Sequence, residues 1–364
     1  MITKECGDTV LRLSERIELR QRLFNSFRRL GILQELIDDK EVSEIMINGH
    51  ETIFVEERNR IRRWDKKFET EEQLEDVIQQ IVSSINRTAN RANPLTDARL
   101  RDGSRVHIAL PPVALDGPVM TIRKFPEPVT IERLIAWNSV TEEAAEYLRV
   151  LVRAGYNIFI SGGTNSGKTT FLNALSAFIP ATERVITIED SAELQLLHIP
   201  NLVRLETRNA NVEGEGEIGM SELIRASLRM NPSRIVVGEV RGGEALYMLQ
   251  AMNTGHDGSL STGHANSAED MLRRLESMVL SAAALPLPAI RSQIASAIDL
   301  FIHLGRLPDQ SRRVLEITEM KGYEQDTFCF NKIFAYDPQE KRLKKTGRLW
   351  HREKLLRAGE RLSD

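Results

Sequence analysis

Apolar positions along the chain recur at two different periods, and the change between them divides it. From about Val10 to Asp39 they return at mixed three- and four-residue steps among many arginines, which predicts a helical arm of one or two amphipathic helices interrupted near Gly31. Short β-like runs follow at Glu44–Ile47, Ile53–Glu56 and Ile61–Trp64, separated by turn residues such as Asn48-Gly49, and predict a small sheet. The clearest helix signal is Glu71–Ile85, where Leu74, Val77, Ile78, Ile81, Val82 and Ile85 share one face and Thr70 with Gln73 has the form of a capping box. Two more β-like runs, Ser104–Leu110 and Val119–Phe125, complete an α+β domain over residues 1–125.

Phe125-Pro126-Glu127-Pro128 stiffens the chain and opens a linker over 126–140. Beyond it strands alternate with helices. Helix Glu142–Ala154, closed by Gly155, leads to a buried strand at Asn157–Ile160, a glycine-rich loop, and helix Lys168–Phe178. Further strands at Arg184–Ile188, Leu202–Glu206 and Arg234–Val237 give the alternation of an α/β domain with a largely parallel sheet, over 141–335. Residues 336–364 read as a basic tail. No internal repeat is visible.

Composition narrows the class only by exclusion. A chain of 364 residues favours two domains, and 41% hydrophobic with 28% charged residues is ordinary for a globular protein. Lys plus Arg total 49 against 52 for Asp plus Glu, so there is no global attraction to nucleic acid, and no specific nucleic-acid partner is expected. Cys6 and Cys329 have neither CxxC nor zinc-type spacing, which fits a reducing cytosol. The opening residues lack the apolar core of a signal peptide. The longest apolar candidate, Ala282–Ile290, is short and broken by Pro286 and Pro288, so any membrane contact is expected to be peripheral.

The chemistry starts at Gly162-Gly163-Thr164-Asn165-Ser166-Gly167-Lys168-Thr169, a full match to GxxxxGK[ST] between an expected strand and an expected helix. The fixed positions arise by accident in roughly one chain in a hundred of this length, before that flanking context is required. Glycines let backbone N–H groups converge on phosphate oxygens, and the helix N-terminus adds its dipole. Lys168 is expected to reach the β- and γ-phosphates of ATP and Thr169 to give its hydroxyl directly to Mg²⁺, with Thr170 completing the nucleotide-binding set. Hydrolysis also needs a carboxylate near the attacking water. The run Ile235-Val236-Val237 ends at Gly238-Glu239, which makes Glu239 the candidate base, and Glu189-Asp190 with Glu193 forms a second acidic cluster placed to hold magnesium-bound water. Either cluster alone reads equally as a solvated strand end; beside the loop the two reinforce each other.

At this point the chain resembles the type II/type IV secretion and pilus ATPases, most closely the CpaF-like branch that drives tight-adherence (Flp) pilus assembly. The resemblance runs from about Glu41 to Thr318, through Val42–Gly49, Asp97–Leu100, Asp102–Val106, Thr121–Phe125, the glycine loop, Ile188–Asp190, Arg234–Arg241 and Thr254–Ala265. It implies a RecA-like P-loop ATPase domain preceded by a smaller α+β domain, working as a homohexameric ring at the cytoplasmic face of the inner membrane, with inner-membrane platform proteins as partners. It places Glu189 and Asp190 in an acidic box and His256 and His264 in a histidine box. Glu239 becomes an atypical Walker B carboxylate, because Gly238 stands where an Asp is usual; Glu189, Asp190 and Glu239 would then meet magnesium through water. Arg105 and Arg123 match first-domain arginines that approach the phosphates. A metal site at the two histidines is disfavoured, since no third ligand is spaced for it.

The tail departs from that pattern. Lys341–Arg357 holds eight Lys or Arg and one acid, with Trp350 and Leu355-Leu356 as candidate anchors on anionic lipid and a solvated helix as the blander reading. Three other functions compete. A non-catalytic nucleotide-dependent scaffold could lose the carboxylates that this chain keeps; a GTPase would need NKxD, and Asn331-Lys332-Ile333 is followed by Phe334; a DNA translocase would need a basic aromatic groove.

Overall fold

The computed structural model describes residues 30–57, 60–83, 88–100, 102–125, 128–208, 210 and 215–362. The chain divides into two units, Met1–Glu127 and Pro128–Asp364. Most of the expected helical arm lies outside the described residues; its end is α1 (Leu33–Asp38), which follows Gly31.

The first unit continues with β1 (Val42–Asn48), β2 (Thr52–Glu57), β3 (Arg60–Arg63), α2 (Glu71–Ser83), β4 (Leu95–Arg99), β5 (Arg105–Ala109) and β6 (Val119–Arg123). The strands order as β3-β2-β1-β6-β5-β4, every neighbouring pair antiparallel. Period-two alternation puts one apolar row inward: Ile45 faces Val55 and Ile122, Ile47 faces Ile53 and Met120, and Val106 faces Ile122, all buried. Onto this row α2 lays Leu74, Val77, Ile78, Ile81 and Val82. At its start Thr70 Oγ1 accepts the Gln73 N–H at 3.3 Å, but Gln73 Oε1 takes the N–H of Glu69, at 3.1 Å, so the return bond of the expected capping box lands one residue early.

The second unit runs α3 (Ile131–Ala136), α4 (Glu142–Arg153), β7 (Ile158–Gly162), α5 (Lys168–Ser176), β8 (Val185–Glu189), β9 (Leu202–Glu206), α6 (Met220–Ser227), β10 (Arg234–Val237), α7 (Glu244–Asn253), β11 (Leu260–His264), α8 (Ala268–Ala282), α9 (Leu287–Ala297), β12 (Leu300–Arg306), β13 (Arg312–Glu324), β14 (Thr327–Asp337), β15 (Arg342–Lys345) and α10 (Glu353–Ala358). Its nine-stranded sheet has the order β15-β14-β13-β12-β7-β11-β10-β8-β9. From β12 to β9 every pairing is parallel; from β12 to β15 every pairing is antiparallel. The connection between β12 and β13 is too short for a crossover helix, which leaves only the antiparallel option. Along β7, Ile158 and Ile160 join the core under α3, α4 and α5, while Phe159 joins the core under α6 to α9. Burial on both faces is why these strands read as unbroken apolar runs.

Two segments differ from the sequence reading. The stretch read as linker contains α3, whose Thr130 caps it and whose Ile131 and Leu134 are buried in the second unit's core. The stretch read as a basic tail adds β15 to the sheet and buries Leu343, Leu349 and Leu355. Buried Glu319 accepts the N–H groups of Trp350 and His351 at 2.8 and 2.7 Å, and Lys354 Nζ donates to Asp299 Oδ2 at 2.7 Å. Leu355 is therefore core rather than lipid anchor, because the carboxylates behind it fasten the segment; Trp350 and Leu356 stay exposed. Among the described residues no helix is long and apolar enough to cross a membrane.

Candidate active site

Parallel strands end together, and here their C-terminal ends gather the titratable groups. β7 ends at Gly162, β8 at Glu189 and β11 at His264, while β10 runs out into Gly238-Glu239. Ligands of open α/β sheets bind at this edge.

The glycine loop that leaves β7 is tightly specified. A Cβ on Gly162 would lie 2.5 Å from both Leu304 O and Ser166 Oγ, so only glycine fits. Asn165 and Gly167 are left-handed, with φ of 59° and 92°, and Gly167 caps α5. Lys168, buried at the start of that helix, donates to the carbonyl oxygens of Gly162 and Gly163 at 3.2 Å each. Its third donor meets His264 Nδ1 at 3.1 Å. An ammonium only donates, so Nδ1 offers its lone pair and the ring proton sits on Nε2. Burial, reinforced by the Lys168 charge, holds the His264 imidazole below its ordinary pKa and therefore neutral. Burial likewise pushes the Lys168 ammonium below the ordinary lysine value.

The protonated face of His264 turns to Glu239: Nε2 lies 2.9 Å from Oε1. The approach is close but poorly aligned, and this buried oxygen has no well-directed hydrogen bond. The other oxygen, Oε2, accepts from Arg241 Nη2 at 3.1 Å. Arg241 Nη1 also stands 3.5 Å from Asp190 Oδ2, at the limit of a hydrogen bond. Sequence reading placed Arg241 in a shared stretch but gave it no role; its position two residues beyond Glu239 was the available signal.

Glu189 occupies a different place from the solvated strand end its position suggests. It is buried, its Oε2 accepts the N–H groups of Glu193 and Leu194 at 2.7 and 3.0 Å, and burial raises its pKa. Its side chain packs against Gly238: a Cβ there would lie 2.9 Å from Glu189 Cγ. The buried glutamate thus explains the missing Asp, since no larger residue fits at 238 beside it. Glu189 Oε1, like Glu239 Oε1, is buried without a hydrogen bond. Free carboxylate oxygens and the Thr169 hydroxyl in the first turn of α5 make an all-oxygen donor set that suits hydrated Mg²⁺. Among the described residues no three His, Cys, Asp or Glu side chains are grouped to hold a metal by themselves.

The remaining candidates belong to other elements. His256 precedes β11, at the sheet edge opposite the loop, and its Nδ1 faces Ala251 O at 3.2 Å; the strand between it and His264 spans about 3.3 Å per residue. Arg105 and Arg123 belong to the first unit, where they are direct cross-strand partners, and Arg99 continues the same row on β4. His303, missed in the sequence although it interrupts the apolar run of β12, meets Ser161 Oγ at 2.9 Å behind the loop.

Comparison with known proteins shows the family. The family model described as type II/IV secretion system protein matches residues 27–346. A Mycobacterium tuberculosis protein named for conjugal transfer is 34% identical over 301 residues, 81% of this chain and 85% of its own. The type IV secretion system protein PtlH of Bordetella pertussis is 33% identical over 327 residues, 80% of this chain and 94% of its own. Among solved structures, the pilus retraction motor PilT with bound ADP shares the fold, with a TM-score of 0.59 at 21% identity over 88% of this chain and 83% of that one. The chain belongs to the type II/IV secretion system protein family.

Proposed function

We propose that this protein is a magnesium-dependent ATPase with a RecA-like nucleotide domain, which drives a type II/type IV secretion or Flp-type pilus assembly machine of the CpaF-like branch. The observation that carries the reading is the chain Lys168–His264–Glu239 at the mouth of the glycine loop. A γ-phosphate offers Lys168 better acceptors than two backbone carbonyls and an imidazole, because hydrogen bonds between charged partners are about twice as strong as neutral ones. As Lys168 turns to the phosphate, His264 Nδ1 loses its donor, the ring can reorient, and the Glu239 carboxylate is aligned to take the proton of the attacking water. Phosphate occupancy is thereby coupled to the base. Mg²⁺, when bound by Thr169 and through water by Glu189, Asp190 and Glu239, supplies charge neutralisation on the phosphates.

Arg105 and Arg123 are assigned to the phosphates as well. That assignment rests on the family resemblance. The family resemblance supports a homohexameric ring at the cytoplasmic face of the inner membrane, with platform proteins as partners. His256 has no role in this chemistry within one subunit.

The test is ATP turnover with and without Mg²⁺. Lys168→Ala and Glu239→Gln are expected to abolish it, while Glu239→Gln, which keeps the phosphate cradle, still binds ATP. Undiminished turnover in Glu239→Gln would remove the base from this scheme. Light scattering on the same preparation with a nonhydrolysable ATP analogue reports the ring; a strict monomer at micromolar concentration argues against it.

A further inference from the structure

The hairpin joining β12 to β13 grips the glycine loop from outside. Leu304 O fills the space beside Gly162, and His303 meets Ser161 just before it. A third contact reaches the loop itself. Arg312, the first residue of β13, donates from Nε to Asn165 O at 3.0 Å, and its Cδ lies 3.3 Å from where a Cβ on Gly167 would be. These two partners are the loop's left-handed residues. A non-glycine residue in that region is strained and persists only where its surroundings hold it. The Arg312 bond is such a hold, on a carbonyl 147 residues away in sequence.

The direction of that carbonyl bears on anion binding. A peptide plane is rigid, so drawing its oxygen toward a guanidinium keeps the partial negative charge of the oxygen away from any phosphate in the cradle. Arginine suits the task because its charge is permanent and its planar donors are pre-organised, and Arg312 is itself exposed, outside the apolar core.

We infer that Arg312 is a positioning residue for nucleotide binding: it holds Asn165 and Gly167 in the conformation that receives the diphosphate, and so sets ground-state affinity for ATP and ADP alike. This rests on the phosphate reading of the loop. The test measures ADP and ATP-analogue affinity by calorimetry, kcat at saturating ATP, and nucleotide-free melting temperature, on the full chain as wild type, Arg312→Ala, Arg312→Lys and Lys168→Ala. Arg312→Ala is expected to weaken both nucleotides by about fivefold, the scale of one modest hydrogen bond, with kcat and melting temperature little changed. Arg312→Lys recovers part of the affinity, since its Nζ can still donate to Asn165 O. Wild-type affinity in Arg312→Ala overturns the inference, as does a fall in kcat alone, which would place the residue on the transition state. A lowered melting temperature with no recovery in Arg312→Lys reduces it to a fold contact and also overturns it. Failure of the wild type to bind ADP, or unaltered binding in Lys168→Ala, would instead remove the phosphate reading itself.

Discussion

Glu239 has a neighbour at each oxygen: Arg241 donates to one, and His264 stands 2.9 Å from the other without a well-directed hydrogen bond. On the proposed reading, residues that touch the γ-phosphate govern the chemical step and residues that shape the loop govern binding. Arg123 tests that division. It is exposed on β6 and aligned with Arg105, and a guanidinium brought to the transferring phosphoryl stabilises charge that builds up only in the transition state. Arg123→Ala is expected to lower kcat by about tenfold, equivalent to about 1.4 kcal/mol, and to leave ADP affinity nearly unchanged because ADP lacks the γ-phosphate. An unchanged kcat takes Arg123 out of the catalytic set. A parallel loss of ADP affinity and melting temperature would mark a folding role instead.

At the scale of elements, β10 runs out toward Glu239 at one end and carries a fastener at the other. Arg234 opens the strand almost fully buried, donating to Glu183 Oε1 at 2.8 Å and to Val152 O at 2.6 Å. Gly258 makes room for it, since a Cβ there would lie 2.5 Å from Nη1. Glu183 keeps access to solvent, so removing the guanidinium chiefly leaves the buried carbonyl oxygens of Val152 and Gly258 without their donor, which costs about 1–3 kcal/mol. Arg234→Ala is therefore expected to lower the chemical-denaturation stability of the second unit by that amount while ADP affinity, measured where the protein is still folded, holds; a loss under about 1 kcal/mol would show these bonds to be ornamental. Period and spacing made most of these elements legible: the strand read at Leu202–Glu206 is β9, and the helix read at Glu142–Ala154 ends one residue earlier as α4. What escaped had a physical cause. β4 reads Leu-Thr-Asp-Ala-Arg and forms because β5 offers it an edge, and β15 with α10 reads as charge because only Leu343, Leu349 and Leu355 turn inward. Likewise the two histidines of one glycine-rich stretch look equivalent until β11 carries them to opposite edges of the sheet. The loop itself was legible because its chemistry depends on residue type at fixed spacing, whereas Arg312 reaches it only through the antiparallel pairing of β12 with β13.

For the molecule as a whole, titration of buried groups sets how stability follows pH, and the signs oppose one another. His264 and His303 are both held below the ordinary imidazole value of 6.5 by burial; for His303 the Lys168 charge adds to this, against Glu316, Asp270 and the Asn266 backbone. The unfolded chain then binds protons that the folded chain refuses, so stability is lost as pH falls below 6.5 and the loss levels off below the folded values. Glu189 and Asp299 are raised by burial and work the other way, losing stability as pH rises above the ordinary carboxyl values of 4.5 and 3.8. Wild-type melting curves mix the two, and a single replacement separates them. His303→Gln keeps a hydrogen-bonding partner for Ser161 and removes one titrating imidazole. Between pH 8 and 5.5 its stability is expected to fall less than that of the wild type, with the difference opening below the ordinary imidazole value and not exceeding about 1.4 kcal/mol per pH unit, the limit for one proton. In melting temperature that limit is about 3–6 °C per pH unit for a unit of this size. Parallel curves for the two proteins would mean that His303 takes up its proton as readily folded as unfolded, and that its burial against Ser161 does not resist charge.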